Sequence, residues 1–305
     1  MNSENSALYQ TCRAQLTGKL QTLSDKPEET VTSTLHALWH AAAGAPLSVQ
    51  RANQCPLAAL DAPATARLQA LVHQRINGTP LAHLTGCQQF MGIELQVTAD
   101  ALIPREETGL LGHAALAHLV NIIRDKNSAT VIDVCTGSGN LALALAHHAP
   151  LARVWAADLS EAAVALAKRN AKNLFLDDRV TFRAGDLLAP FDTPEFHGKV
   201  DLLVCNPPYI SSGKVDVMAS EIIGHEPRLA FDGGPLGIRI LQRLIADAPQ
   251  FLKPGGMLAF EIGLGQGRGI RKRLEQNKCY SNIGEIADRN GHTRALIAVF
   301  LPAPH

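Results

Sequence analysis

A short run of buried-strand character followed at once by two prolines sets the tightest limit on how this chain can fold. Val200-Asp201-Leu202-Leu203-Val204 reads as a strand of the buried parallel-sheet kind. Cys205-Asn206-Pro207-Pro208-Tyr209 follows, and because neither proline has an N–H and each fixes φ, the strand has to stop at Asn206. The Asn206 amide is thereby presented at the carboxyl end of a strand, where open α/β sheets hold their ligands. The acceptor oxygen of Asn206 and the Pro207 carbonyl can together grip the two hydrogens of a planar –NH2 group, while Tyr209 offers a flat face against it. Alone, the tetrapeptide can also be read as a strand terminator beside an ordinary surface tyrosine.

That strand belongs to a series. From Thr130 the chain alternates strand and helix, which predicts a doubly wound α/β sheet. Val131–Val134, a strand ending at Trp155-Ala156-Ala157-Asp158, Val180–Ala184 and Val200–Val204 are expected in turn, with Ser160 capping the helix after the second. Lys253-Pro254-Gly255-Gly256 reads as a tight turn into Met257–Ile262, after the Gly- and Pro-rich stretch from Gly224 to Gly237. Asn290-Gly291 then makes a hairpin of two closing strands, so one sheet edge is mixed. Upstream, residues 7 to about 76 carry only helical periodicity, with Trp39 taken as a core aromatic, and the period changes to that of a hairpin after Pro80. The expected division is a helical domain over 1–82, a β-hairpin linker over 83–100 and a catalytic domain over 101–305.

Lys+Arg and Asp+Glu both number 28, so no global field draws the chain to nucleic acid or an anionic membrane. The six cysteines show no CxxC pair and no metal-ligand spacing; reduced thiols in a cytoplasmic protein, and no metal, are expected. No apolar run approaches the roughly 20 residues of a membrane span.

Gly137-Ser138-Gly139-Asn140-Leu141-Ala142 satisfies GxGxxG/A between a strand and a helix, with Asp158 following the next strand. A dinucleotide site and a site for S-adenosylmethionine both suit this arrangement. In the second case the glycines make room for the amino-acid and ribose parts, and Asp158 accepts the ribose hydroxyls. Asp186, after the third strand, is then placed to receive the adenine amine. Asn206-Pro207-Pro208-Tyr209 on the fourth strand favours the methyl donor, because a hydride-transfer enzyme has no use for an amine grip.

Asp133 through Gly139, Asp158, Gly185-Asp186 and Asn206–Tyr209, with Gly78–Gly86 and Ile103-Pro104-Arg105-Glu106-Glu107-Thr108 upstream, resemble the protein-(glutamine-N5) methyltransferases of the HemK type. The resemblance spans about residues 30 to 300. It implies the seven-stranded class I methyltransferase fold, with a small helical N-terminal domain and a hairpin linker. It also implies S-adenosyl-L-methionine as cofactor, held by Asp133, Thr136, Gly137, Gly139, Asp158, Asp186, Leu187 and Asn206. Asn206, Pro207, Pro208 and Tyr209 would bind the substrate, and Asn206, Pro207 and Tyr209 would act on it. The implied partner is a protein, a peptide chain release factor first and a ribosomal protein second, acted on by a cytoplasmic monomer with neither membrane nor nucleic acid as direct target.

Some residues depart from the family's pattern. Cys135 stands where release-factor enzymes commonly have glycine and is similar to the ribosomal-protein branch. Ile286-Ala287-Asp288-Arg289-Asn290-Gly291 is more like the release-factor branch, and Glu106 and Gly109 fall where Pro and Glu are often found. Adenine-N6 methylation of nucleic acid, which uses a similar turn, small-molecule N-methylation and a non-catalytic binding module stay open as alternatives.

Overall fold

The computed structural model describes residues 3–20, 26–216 and 225–301. Gly224, where the Gly- and Pro-rich stretch begins, lies outside them. Two compact units result. The first holds the described residues up to Ala99 together with Ile103–Arg105, His225 and Glu226; the second holds the remainder.

In the first unit the helices Ser3–Thr17, Val31–Ala42, Val49–Ala52, Ala62–Ile76 and Leu81–Thr85 enclose Leu16, Leu35, Leu38, Trp39, Leu68 and Val72. Trp39 is fully buried, and its indole N–H donates to the Ala58 carbonyl at 2.8 Å, so it is a core residue with its polar handle satisfied. Thr30 and Asp61 start their helices by accepting from Ser33 N and Ala64 N. Strands β1 (Cys87–Phe90) and β2 (Ile93–Gln96) form an antiparallel hairpin in register Phe90 to Ile93. Met91 and Gly92 both take positive φ at its turn, the backbone that matches strand twist in a two-residue loop.

The second unit is built on one sheet of seven strands: β3 (Ala129–Val134), β4 (Ala152–Asp158), β5 (Val180–Ala184), β6 (Val200–Cys205), β7 (Leu252–Glu261), β8 (Tyr280–Ala287) and β9 (Thr293–Phe300). Their order is β5-β4-β3-β6-β7-β9-β8. The first five pair parallel, and β9 runs antiparallel to both neighbours, which gives the mixed edge. β4 and β5 build outward from one side of β3, and β6 from the other. The β3/β6 boundary is thus the switch point at which such sheets open a crevice for ligands. β6 is buried along its whole length. The charge of Asp201 is answered within the fold: its carboxylate accepts from Thr130 N at 2.9 Å and from the Lys253 ammonium at 2.7 Å.

One element differs from expectation. Lys253–Gly256 is not a turn ahead of the strand but a bulge inside it, since β7 already pairs Leu252 with Val200 and resumes at Met257 opposite Leu202. Gly256 permits this, because a Cβ there would stand 2.9 Å from the carbonyl oxygens of both Lys253 and Val200.

Candidate active site

The loop after β3 is turned by residues in the left-handed region: Cys135 (φ 59), Gly137 (φ 56) and Gly139 (φ 85). Its two glycines serve different ends. A Cβ on Gly139 would press on Leu143, Ala167 and Phe182 at 3.1 to 3.3 Å, so this glycine lets the helix Asn140–His148 seat closely. A Cβ on Gly137 would meet nothing nearer than Ala101 at 4.0 Å, so the space before it is not filled by protein. Cys135 carries a side chain where the backbone favours glycine.

Three carboxylates lie at or just past the carboxyl ends of β3, β4 and β5. Asp133 is fully buried, and its Oδ2 accepts from the Thr136 hydroxyl at 2.6 Å and from Ala142 N at 3.2 Å. Burial pushes its pKa up to about 7, against the two hydrogen bonds that hold it down. Its Oδ1 has no partner among the described residues, so a buried acceptor is left unsatisfied. Asp158, at the end of β4, accepts from Gly137 N at 2.8 Å on one oxygen and from Ser160 N at 2.9 Å on the other. Asp186 follows β5 in a tight turn with Gly185 and Leu187 at positive φ. Its carboxylate is already forked by Arg243 at 2.9 and 3.1 Å, a partner that only the fold brings to it.

Asn206 and Tyr209 leave the next strand, β6, whose Cys205 lies in register with Val134. The cofactor-type loop and the acceptor turn are therefore neighbours at the switch point. Pro207 is buried, Asn206, Pro208 and Tyr209 half-buried, and among the described residues nothing donates to the Pro207 carbonyl. The Asn206 Nδ2 donates to the Thr108 hydroxyl at 3.1 Å, so its Oδ1 is the end left to accept. The Tyr209 hydroxyl donates to Glu261 Oε1 at 2.8 Å, and burial raises its pKa well above the usual range.

Residues from distant segments hold this turn, and sequence reasoning did not single them out. Gln266 donates to the Tyr209 carbonyl at 2.9 Å and the Gly237 carbonyl at 3.3 Å, and accepts from Gly263 N at 2.9 Å. A Cβ on Gly237 would collide with the Tyr209 carbonyl. The only sequence signal was the density of glycine in 233–237 and 263–269, which marks close backbone approach without saying to what. Glu107 heads the helix Thr108–Lys126 but does not cap it; its carboxylate pairs with Arg294 at 2.6 Å. Glu106 is exposed, and Glu226, in the first unit, ties down Arg105 at 2.6 Å and Ile103 N at 2.8 Å.

A switch point of this topology, with a glycine loop on β3, an acid ending β4 and an Asn-Pro-Pro-Tyr turn on β6, defines a class I methyltransferase. Residues 113–239 match the Methyltransferase small domain family. The fold is shared with human methyltransferase 10 domain containing protein (TM-score 0.52, 18% identity, 70% of this chain and 90% of that one). It is shared likewise with the hMettl16 catalytic domain solved with a MAT2A 3'UTR hairpin (TM-score 0.53, 16% identity, 79% and 85%). The release factor glutamine methyltransferase of Moorella thermoacetica is 41% identical over 238 residues, 78% of this chain and 81% of that protein. That of Rhodopirellula baltica is 40% identical over 227 residues, 74% and 75%. The chain belongs to the release factor glutamine methyltransferase family. Membership of a methyltransferase family with this fold implies S-adenosyl-L-methionine as the methyl donor. Among the described residues no helix is long and apolar enough to cross a membrane.

Proposed function

We propose that this enzyme transfers the methyl group of S-adenosyl-L-methionine to the side-chain amide nitrogen of a glutamine in a peptide chain release factor. The observation that carries this reading is the anchoring of Asn206: its Nδ2 donates to Thr108, and its Oδ1 keeps both lone pairs for a donor. An acceptor there, beside the open carbonyl of Pro207, suits a group with two N–H donors. The names of the relatives supply the carrier of that amide.

Asp133, Thr136, Gly137, Gly139, Asp158, Asp186 and Leu187 would hold the cofactor. The unpartnered Asp133 Oδ1, the Asp158 carboxylate and the unfilled space before Gly137 fit a ligand with an ammonium and ribose hydroxyls. When bound, the cofactor supplies an electrophilic methyl on a sulfonium. An amide nitrogen is a weak nucleophile, so the task of the protein is alignment: Asn206 and Pro207 fix both hydrogens, and Tyr209 lies against the amide plane. As the nitrogen gains positive character, the Asn206 and Pro207 oxygens stabilise its N–H groups. No general base is required, because the proton is lost after transfer from a strongly acidic nitrogen. The N-terminal helical unit would grip the rest of the partner, and the enzyme would act as a monomer in the cytoplasm.

The test presents three acceptors with labelled cofactor: a release factor, the same factor with its Gly-Gly-Gln glutamine replaced, and an adenine-containing oligonucleotide. Label should enter the first alone, and peptide mass spectrometry should place it on the glutamine. Label confined to the oligonucleotide overturns the proposal.

A further inference from the structure

Next to Asn206 and Tyr209, Thr108 is 1% exposed and Glu261 2%. Thr108 opens the helix Thr108–Lys126, and Glu261 closes β7, so two elements converge on the turn that follows β6. The Asn206 Nδ2 donates to the Thr108 hydroxyl at 3.1 Å, and the Tyr209 hydroxyl to Glu261 Oε1 at 2.8 Å. Glu261 Oε2 has no partner among the described residues. The Thr108 hydroxyl faces this carboxyl closely enough to pull its pKa down. Having accepted from Asn206, Thr108 still has a proton of its own to place, and the Glu261 carboxylate is the acceptor facing it.

The sense of such a chain is forced. A carboxylate can only accept, so the Tyr209 hydroxyl points toward it, and any proton shared between Thr108 and Glu261 has to come from Thr108. Thr108 then has only lone pairs to show Asn206, and the amide of Asn206 must turn its –NH2 inward and its oxygen outward. Reversing Asn206 would require Thr108 to withdraw its proton from a buried charge, which is costly. We infer that Glu261 is a positioning residue which, through Thr108 and Tyr209, sets the sense of the Asn206 amide and so admits an N–H donor in front of it. This rests on the reading that Asn206 grips a substrate –NH2.

A protonated Glu261 can donate as well as accept, and the sense is then no longer enforced. Burial raises this carboxyl to about 7, with Glu107 pushing it further up and Thr108, Tyr209 and Arg294 pulling it down. Those are the charged and titratable groups that face it, from the head of the helix, from β9 and from the acceptor turn; Glu107 and Arg294 are paired with each other. Asp133 titrates in the same range. It lies on β3 and is bonded to the proposed cofactor loop through Thr136, however, so its protonation is read in cofactor affinity rather than in turnover at saturating cofactor.

The experiment measures kcat for release-factor methylation at saturating cofactor from mildly acidic to alkaline pH, for the wild type, Glu261→Gln, Thr108→Val and Thr108→Ser, with cofactor affinity measured by calorimetry. The wild type should lose turnover as pH falls through about 7. Glu261→Gln should lower kcat by about a hundredfold, the scale of a small misplacement in a reacting geometry, and abolish that acid limb. Thr108→Val should lose as much and Thr108→Ser should recover it, with cofactor affinity unchanged in all three. An unchanged acid limb in Glu261→Gln, or wild-type kcat in Thr108→Val, overturns the inference; should Glu261→Gln fail to fold, the threonine pair decides. A wild type that methylates no release factor is a different result, and it refutes the parent reading.

Discussion

Asn206 and Asp133 show how a side chain's surroundings decide its chemistry. Both stand at strand ends, and both were legible in the sequence because an apolar run followed by proline or glycine marks where a strand stops. Their partners were not. Thr108 lies 98 residues from Asn206, Glu261 lies 52 from Tyr209, and Gln266 lies 57 from it. No local pattern links such pairs; only the packing of β7 and the helix Thr108–Lys126 beside β6 does. Asp186 could be located but its engagement by Arg243 could not, for the same reason. Replacing Asn206 by alanine should lower kcat by about 100-fold or more, the usual loss when one group of a preorganised polar site is removed, and leave cofactor affinity within a few-fold. Steady-state rates with calorimetric titration of the cofactor check this, and a parallel loss of cofactor binding would refute the assigned role.

At the level of elements, the parallel strands were readable because burial on both faces leaves near-continuous apolar runs. The closing hairpin was readable from Asn290-Gly291, and the first hairpin from the change of period after Pro80. The bulge in β7 was misread, since Pro-Gly-Gly is the composition of a turn and only the pairing of Leu252 with Val200 shows that the strand has already begun. The segment carrying Gly233 and Gly237 had no strand or helix period at all, yet it packs against the backbone of Pro208 and Tyr209. Gly237→Ala should therefore push the Tyr209 carbonyl aside. We expect about a tenfold or greater fall in kcat from misplacement of Tyr209, while the far-UV circular dichroism and the cofactor affinity stay as in the wild type. Wild-type kcat in this variant would mean that the close approach has no bearing on catalysis.

For the whole molecule, the buried carboxyls impose a pH dependence on stability. Asp133 and Glu261 are each raised to about 7 in the folded chain, chiefly by burial. In the unfolded chain such groups release their protons near pH 4, at roughly 3.9 for Asp and 4.3 for Glu. Between those limits the folded state holds more protons, so their contribution to stability falls as pH rises from about 4 to about 7 and is level beyond. His83 and His118 act oppositely, because burial lowers their pKa and the unfolded chain binds protons more readily below about 6.5. The double variant Asp133→Asn, Glu261→Gln should therefore show thermal midpoints that decline less, or climb more, than those of the wild type across this window. Scanning calorimetry of the ligand-free protein checks it; parallel curves would show that neither carboxyl is shifted. The grip of Gln266 on Tyr209, Gly237 and Gly263 has a further consequence, which concerns timing. Moving Tyr209, Gly237 or Gly263 breaks a bond to the Gln266 amide, which favours an acceptor turn already formed in the free enzyme. On that account we expect the motion that delivers a glutamine side chain to come from the partner's loop rather than from this turn.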